Sequence, residues 1–394
     1  MVNRNVKNGL LRIAPIIRGL LAQPSGNEDV PYYRVILKSL TTKKAREFVT
    51  PDKRNELKLF LAPLKNIEMP PLYVDSVEYE TSTEELREQL NKTIEDFSKH
   101  YGSKPQIILL SGLGIIYVEK AVKTDLPLQN EVALVTGAAG AIGSGICKRL
   151  LEKGCCIVAT DLHVDNLNIL VNELKEIAAD RIIGARLDVT DRDSVTYGFN
   201  KAIHVWGGVD IIIVNAGIPL VASLMEMDLN DFRRLEEVNV EGTLLTLSEA
   251  GRHLCLQKTG GDIVVISTKN IFAPGARFGA YSATKAAAHQ LGRIASIELA
   301  EFDIRVNMVA PDAVFSCGKR KSGLWEKIGP DRMRHKGIVN ERDLQEYYHS
   351  RNLLKAKVTA QHVANAVLFF VTRQTPTTGA TIPVDGGLPE ATPR

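Results

Sequence analysis

The sequence predicts an α/β protein: a doubly wound parallel sheet of about seven strands, preceded by a small α+β domain. Three observations predict it. From Glu131 onward, short runs rich in Val and Ile alternate with longer amphipathic runs. The first of these short runs ends in a cluster of glycines, Gly137, Gly140, Gly143 and Gly145. Residues 1–128 lack such a cluster and alternate differently. Strands that alternate with helices imply a parallel sheet with helices on both faces.

The elements follow in order. Glu131–Gly137 reads as a short β-rich run ending in glycine, Ile146–Lys153 as a helix and Cys156–Thr160 as the next strand, ending at Asp161. Arg181–Arg186 and Val209–Val214 read as strands, the second fully buried and ending at Asn215-Ala216-Gly217. Asp262–Ile266, Ile304–Val309 and Ala380–Val384 supply three more. Helical runs separate them at Asp165–Ala178, Asp191–Val205, Asp228–Asn239, Thr243–Gln257, Ser282–Glu301 and Thr359–Thr372. Between Ala313 and Leu354 the alternation lapses. A stretch of that length is long for a loop, and long loops often serve as lids. Trp325 is placed to close it over the reacting end of a ligand.

A strand, a glycine turn and a helix start form a pyrophosphate site, because backbone N–H groups and the positive helix end face the phosphates. Asp161 lies about 20 residues beyond the glycines, where an acid accepts hydrogen bonds from an adenosine ribose. It repels a 2′-phosphate, and its neighbours Thr160 and Leu162 are not arginine. The domain therefore reads as Rossmann-type, with NAD rather than NADP as its ligand. Taken alone, the glycines are also compatible with an ordinary tight turn and Asp161 with a strand-end turn.

Tyr281 and Lys285 stand four residues apart, one turn of a helix from each other. An ammonium there lowers the phenol pKa and makes a general acid/base. Thr268 ends the preceding apolar run, Asp262–Thr268, and places a hydroxyl to polarise a substrate oxygen beside the phenol. Ser267 points to the opposite face of that strand.

From about residue 129 to the end, the chain resembles a short-chain dehydrogenase/reductase. The stretches that carry the resemblance are Thr136–Gly143, Leu187-Asp188-Val189, Asn215–Gly217, Asn239–Gly242, Tyr281 with Lys285, Arg305-Val306-Asn307 and Val384–Gly387. The resemblance implies a catalytic set of Asn239, Thr268, Tyr281 and Lys285. It implies cofactor contacts at Gly137, Gly140, Ile142, Gly143, Asp161, Asp188, Val189, Asn215, Ala216 and Gly217. Among these, Asp188 would meet adenine and the backbone of Asn215 the cofactor, while Tyr281 and Lys285 would hold the ribose next to nicotinamide. Two positions depart from the family pattern. Thr268 stands where serine is usual, and Ala141 stands where the central glycine is usual, with Gly140 beside it.

Within that family the chain is similar to the dehydrogenase half of bifunctional rhamnulose-1-phosphate aldolase/alcohol dehydrogenases. The stretches are Ser267–Asn270, Pro311–Val314, Gly323–Trp325, Arg351–Lys355 and Pro383–Arg394. This similarity implies rhamnose catabolism and a substrate such as lactaldehyde. Residues 1–128 look like the tail end of the aldolase half, notably Leu110–Gly114, shortened between Gly112 and Gln129. The aldolase's metal-binding histidines have no counterpart: His100 is the only histidine before His163. A zinc site needs three or four clustered ligands, so no metal and no aldolase activity are expected.

Within this N-terminal third, Leu10–Ala22 reads as a basic apolar helix, and Arg34–Lys38 and Gln106–Leu110 as strands. Thr83–His100 reads as a helix capped by Thr83, with Leu86, Leu90, Ile94 and Phe97 on one face. Arg4, Lys7, Arg12 and Arg18 with no acid among them also fit a mitochondrial presequence. A surviving helix of the domain is the preferred reading.

Composition narrows the function classes. The chain has 44% hydrophobic and 24% charged residues, ordinary for a large core. A net charge of +3 makes no case for nucleic acid, and no apolar run is long enough to span a membrane. Five cysteines without a C-x-x-C pair suggest a reducing, cytoplasmic setting. Adjacent Cys155 and Cys156 read as small buried side chains. Lys319-Arg320-Lys321 is a basic cluster, either a solvated face or a holder of a substrate carboxylate or phosphate. The helix from Tyr281 carries Ala283, Ala286, Ala287, Ala288 and Ala295; small residues permit close helix approach, and the family resemblance implies a homodimer or homotetramer.

The resulting expectation is hydride transfer between NAD and a small hydroxy-carbonyl compound, lactaldehyde-like or a sugar-derived alcohol. Two rivals remain at this level: a sugar epimerase or dehydratase using NAD without net turnover, and a non-catalytic NAD-binding scaffold or regulator.

Overall fold

The computed structural model describes residues 4–49, 69–75, 81–119 and 126–391. The chain divides into two compact units. The shortened stretch expected after Gly112 and the end of the C-terminal run at 392–394 lie partly outside the described residues.

The first unit comprises residues 1–125 with residues 200–209 and 253–259. Beside a short antiparallel pair, Gln23–Pro24 with Tyr32–Tyr33, its larger sheet is built from β1 (Ile36–Leu40), β2 (Leu72–Val74), β3 (Ile107–Leu110) and β4 (Gly114–Glu119). They form a mixed sheet of order β1-β4-β3-β2, in which only β2 and β3 run parallel. Helix α1 (Arg4–Leu21) contributes Leu10, Ile13, Ile16 and Ile17 to the core. Arg18 on the same helix is buried and donates from Nε to the Val35 carbonyl at 2.7 Å and from Nη1 to Gln257 Oε1 at 3.1 Å. A short α2 (Lys43–Phe48) follows β1. Helix α3 (Thr83–Tyr101) buries Leu86, Leu90, Ile94 and Phe97, the face its sequence spacing marks. Its cap is Ser82, one residue before the expected Thr83. Ser82 and Glu85 form a reciprocal capping box, which needs a glutamate three residues after the cap.

The second unit is the larger one and contains a seven-stranded sheet that is parallel throughout. Its elements are β5 (Val132–Val135), α4 (Ala141–Glu152), β6 (Cys156–Asp161), α5 (Val164–Lys175), β7 (Ile182–Arg186), the start of α6 (Arg192–Trp206) and β8 (Ile211–Val214). Then come α7 (Leu229–Glu236), α8 (Gly242–Gln257), β9 (Gly261–Ile266), α9 (Gly279–Glu298) and β10 (Ile304–Pro311). The unit closes with α10 (Gly323–Lys336), α11 (Glu341–Ser350), α12 (Ala360–Val371) and β11 (Thr381–Val384). The sheet order is β11-β10-β9-β8-β5-β6-β7. All residues of β5, β8 and β9 are buried, which is why these strands read as continuous apolar runs rather than alternating ones.

The chain winds from β5 outward to β7, then returns to place β8 on the other side of β5. The strand order reverses there. In such sheets, ligands bind in the crevice outside the carboxyl ends of the strands at this switch point. Gly137 and Asn215 follow the two strands that flank it.

Three local results differ from the sequence expectation. The helix expected to run to Asn239 instead passes from α7 into a π-helical turn, Glu237–Glu241, before α8. The helix carrying Tyr281 begins at Gly279, so the tyrosine lies in its first turn. The stretch 313–354 is not a bare loop. It folds into a two-residue hairpin (Ser316–Cys317 with Arg320–Lys321) and helices α10 and α11. Those helices are polar on most positions, so they carry little apolar periodicity to read.

At the end opposite the switch point, Arg373 is buried with a positive φ of 50°. Its Nε lies 2.8 Å from Asp262 Oδ2 and its Nη1 2.7 Å from Asp303 Oδ2, and Nη2 donates to the Gly261 and Asp303 carbonyls. It thus ties together the starts of β9 and β10.

Candidate active site

The glycine turn after β5 is shaped by close approach. Gly137 has φ of +61°, where a side chain would be strained. A Cβ on Gly143 would fall 2.4 Å from the Gly137 carbonyl oxygen and 2.8 Å from the Ala138 Cα. Only glycine lets α4 start this close to the turn. Gly140 caps that helix, and Ala141 takes its first position, where an alanine costs nothing. The missing central glycine is therefore accommodated.

Thr136 binds this turn to the end of β8. Its Oγ1 accepts hydrogen bonds from the backbone N–H of Asn215 (2.9 Å) and Ala216 (3.1 Å). The Asn215 amide in turn donates to the Thr136 and Gly137 carbonyls, each at 2.9 Å. Asp161, at the end of β6, accepts from the N–H groups of Ala139 and His163, both at 3.0 Å. Its carboxylate thus stands at the turn itself. Asp188 accepts from the Thr190 N–H and hydroxyl at 3.0 and 2.8 Å. Burial alone would raise its carboxyl pKa. The Thr190 bonds, helped by Arg234 and Arg186, outweigh burial and leave it lowered.

On the other side, Thr268 follows β9 and caps a short 3-10 turn. Its hydroxyl accepts from the Asn270 N–H at 3.3 Å, lines the same pocket as the Tyr281 phenol and favours the phenolate. Lys285 Nζ donates to the Ile266 carbonyl at 2.7 Å. Tyr281 and Lys285 are both buried, at 9% and 6% exposure, and burial dominates their titration. It pushes the phenol up to about 12 despite the opposing effect of the Thr268 hydroxyl, and the ammonium down to about 8. The expected lowering of the phenol by the lysine is therefore not the net result within the protein alone. Desolvation of both groups exceeds their mutual effect.

One pocket of about 580 Å³ joins these parts. It is lined by Gly137, Gly140, Ile142, Gly143, Asp161, Asp188, Val189, Asn215, Ala216 and Gly217, and by Thr268, Tyr281 and Lys285. Asn239 is not on its surface. It sits in the π-helical turn behind Gly217, with Oδ1 accepting from the Ile218 N–H (2.9 Å) and Nδ2 donating to the Ile218 carbonyl (3.0 Å) and Thr284 Oγ1 (3.1 Å).

The basic cluster divides. Arg320 reaches the glycine turn, donating to the Ala139 carbonyl at 3.3 Å, and pairs with Glu173 at 2.9 Å. Lys321 pairs with Glu341 at 3.2 Å on the exposed rim. Trp325 lines the pocket, stacked on Phe315 with ring centroids 4.2 Å apart. The pocket also contains residues that sequence reasoning gave no role: Lys269, Arg332, Tyr348 and Arg351. Lys269 follows Thr268 directly and was open to notice. The other three come from the stretch without periodicity.

The pocket thus has a glycine turn at one end and Thr268, Tyr281 and Lys285 at the other. A family model of short chain dehydrogenases matches residues 131–326. A short-chain dehydrogenase/reductase of Armillaria gallica is 31% identical over 263 residues, which is 66% of this chain and 96% of that one. The chain belongs to the short-chain dehydrogenase/reductase family. Members of this family use nicotinamide cofactors. An uncharacterized oxidoreductase of Bacillus subtilis, YuxG, is 33% identical over 66% of the chain, and the match spans only 38% of YuxG's length. A solved short-chain type dehydrogenase/reductase from Mycobacterium marinum superposes with a TM-score of 0.59 at 27% identity, covering 67% of this chain and 98% of that one.

The pocket's residues fit such a cofactor. A Cβ at Gly143 would fill the cradle, and the start of α4 faces it with free N–H groups.

Proposed function

We propose that the protein is an NAD-dependent dehydrogenase acting on a small hydroxy-carbonyl compound. Thr268, Tyr281 and Lys285, the last two one turn apart on the same helix, line one pocket with the glycine turn, and this carries the reading. A bound nicotinamide supplies or accepts the hydride. Thr268 orients the substrate oxygen by its hydroxyl. Tyr281 takes the hydroxyl proton during oxidation and returns it during reduction. Lys285 holds the ribose and, when charged, favours the phenolate. Asn239, whose side chain is fixed by Ile218 and Thr284 beside Gly217, steadies the lysine side of a proton relay. The Asp161 carboxylate at the glycine turn favours a ribose hydroxyl over a 2′-phosphate, which supports NAD.

The finer parts of the reading rest on sequence resemblance. The substrate is lactaldehyde-like or a sugar-derived alcohol, and residues 1–128 descend from an aldolase domain without its metal site. The exposed Ala283, Ala286 and Ala287 with Ile294 and Ile297 on α9 form a face suited to a second copy, so a homodimer or homotetramer is proposed. Among the described residues, no helix is long and apolar enough to cross a membrane.

The test is NADH absorbance after mixing the protein and NAD with lactaldehyde, 1,2-propanediol, lactate and a sugar-alcohol panel. A rise that Tyr281→Phe abolishes supports the dehydrogenase. The same assay with NADP checks the cofactor, and Asp161→Ser should raise the NADP/NAD ratio of kcat/KM at least tenfold. No rise with any alcohol, while calorimetry shows NAD bound, would sink the reading.

A further inference from the structure

The reacting end of the pocket is positively charged. Lys269 leaves the chain immediately after Thr268 and donates to the Ala273 carbonyl at 3.0 Å. Arg332, only 8% exposed, lies over the Phe278 ring at 5.0 Å, and that ring meets Tyr281 at 6.1 Å. Arg351 reaches Asp312 through Nη2, at 2.8 and 3.2 Å from its two oxygens. All four charged groups line the pocket. Lys269, Arg332 and Arg351 thus share this wall of the pocket with Asp312.

Among the described residues, neither Lys269 nor Arg332 has a carboxylate partner. Arg332 uses Nε on the Tyr348 hydroxyl (3.3 Å) and Nη1 on the Ala276 carbonyl (3.4 Å), and its Nη2 donates to nothing among the described residues. The buried Nε of Arg351 is also without a partner. Burying an unpaired cation is costly unless something completes it. Lys269 shows that cost: burial lowers its pKa, against the pull of Asp312 and of the exposed Glu390, with Arg351 and Arg332 adding to the lowering.

The guanidinium groups are held in fixed planes. Tyr348 accepts from Arg332 and stacks under Arg351 at 4.2 Å, while Trp325 packs edge-on against Tyr348 at 4.7 Å. Planar forks fixed in this way suit a carboxylate or phosphate, which guanidinium groups bind by paired hydrogen bonds.

We propose that the substrate carries an anionic group, a carboxylate or phosphate, which Lys269, Arg332 and Arg351 hold beside the hydroxyl or carbonyl addressed by Thr268 and Tyr281. This rests on the dehydrogenase reading, keeps its hydroxy-carbonyl chemistry, and replaces the neutral lactaldehyde-like or sugar-derived alcohol by an anionic counterpart as the preferred substrate.

The experiment compares kcat/KM for matched pairs: 1,2-propanediol with lactate, 2,3-butanediol with 3-hydroxybutanoate, and glycerol with glycerol 3-phosphate. An anionic member is expected to be preferred at least tenfold. Arg332→Met and Lys269→Gln should each cut that preference at least tenfold, mainly through KM. Equal or better use of the neutral members would overturn the anion subsite and leave the dehydrogenase standing.

Calorimetry on the NAD-loaded protein, with oxalate and with inorganic phosphate at constant ionic strength, reads the subsite without turnover. Saturable binding that is lost in either variant supports it, and the stronger of the two anions identifies carboxylate or phosphate. Binding of neither anion, or binding unchanged in both variants, overturns it. Anion binding without turnover of any pair would instead count against the dehydrogenase. Circular dichroism melts confirm folding, and Lys269→Gln, at a less buried site, keeps the test decisive if Arg332→Met fails to fold.

Discussion

The Ser267 hydroxyl lies 3.1 Å from Nδ1 of His289, while Thr268, the next residue, presents the hydroxyl that favours the Tyr281 phenolate. Both residues lie against α9, Ser267 by His289 and Thr268 nearer the helix start at Tyr281, so the expected opposite facing is not what separates them. On the proposed reading the threonine takes the part of the family's usual serine, while its serine neighbour is engaged by His289 on the same helix. Thr268→Ala should lower kcat by about 10²- to 10³-fold, as expected for losing an oriented donor at a reacting oxygen. Thr268→Ser should stay within about tenfold of wild type, and Ser267→Ala should lose less than Thr268→Ala. Steady-state kinetics on all three would settle the assignment, and a Ser267→Ala loss equal to that of Thr268→Ala would reverse it.

Stability should vary with pH through the two buried groups of the site. In the folded chain Lys285 releases its proton at about 8, against an ordinary 10.5. Between those values the unfolded chain holds a proton the folded chain lacks, so rising pH favours folding. Tyr281 acts in the opposite sense. Its folded value of about 12 exceeds the ordinary 10.0, so above pH 10 the folded chain holds the extra proton and rising pH favours unfolding. Together they make a contribution that grows from about pH 8 towards pH 10 and falls beyond it. Urea midpoints across this range should show Lys285→Met flattening the rise, by on the order of 2 kcal/mol. An unchanged profile would mean that the lysine is charged and solvated at pH 8.

Gly143→Ala should abolish nucleotide binding. In an open helix this change adds about 1 kcal/mol of stability. Here the new Cβ meets backbone atoms at 2.4 and 2.8 Å, and backbone cannot swing aside as a side chain does. Either the turn or the start of α4 must move. NAD titration by protein fluorescence, beside a melt showing that the variant folds, would test this. Wild-type affinity would show that the turn is adjustable.

Arg373→Met should cost about 3–5 kcal/mol, the range for breaking a buried ion pair. Asp262, itself only 4% exposed, would be left without its guanidinium, and two carbonyls would lose their donor. The loss should appear in the urea midpoint, with the KM of the folded fraction little changed, because this cluster lies at the strand ends away from the pocket.

The central sheet was readable because its strands are buried on both faces. Val132–Val135, Ile211–Val214 and Gly261–Ile266 leave no polar face to blur their limits. The glycine turn, Asp161, Tyr281 and Lys285 were readable for the same reason: each follows or answers one of those runs. The anionic-ligand residues were not. Arg332 and Arg351 lie on or just beyond polar helices whose sequence shows no stripe, and only folding brings them near Lys269. Asn239 was found by motif, but its π-helical turn was not, since one extra residue in a turn leaves no mark on apolar spacing. Thr136 was passed over because its role lies wholly in the backbone groups of another strand.

That threonine has a thermodynamic consequence. With its hydroxyl shared between Asn215 and Ala216, and the Asn215 amide returned to Thr136 and Gly137, the loops after β5 and β8 lose their conformational freedom when the chain folds. A dinucleotide then meets a seat already ordered, and little of its binding free energy is diverted into immobilising loops. Occupancy should register as a ligand-dependent rise in melting temperature set by mass action, with scarcely any change of shape.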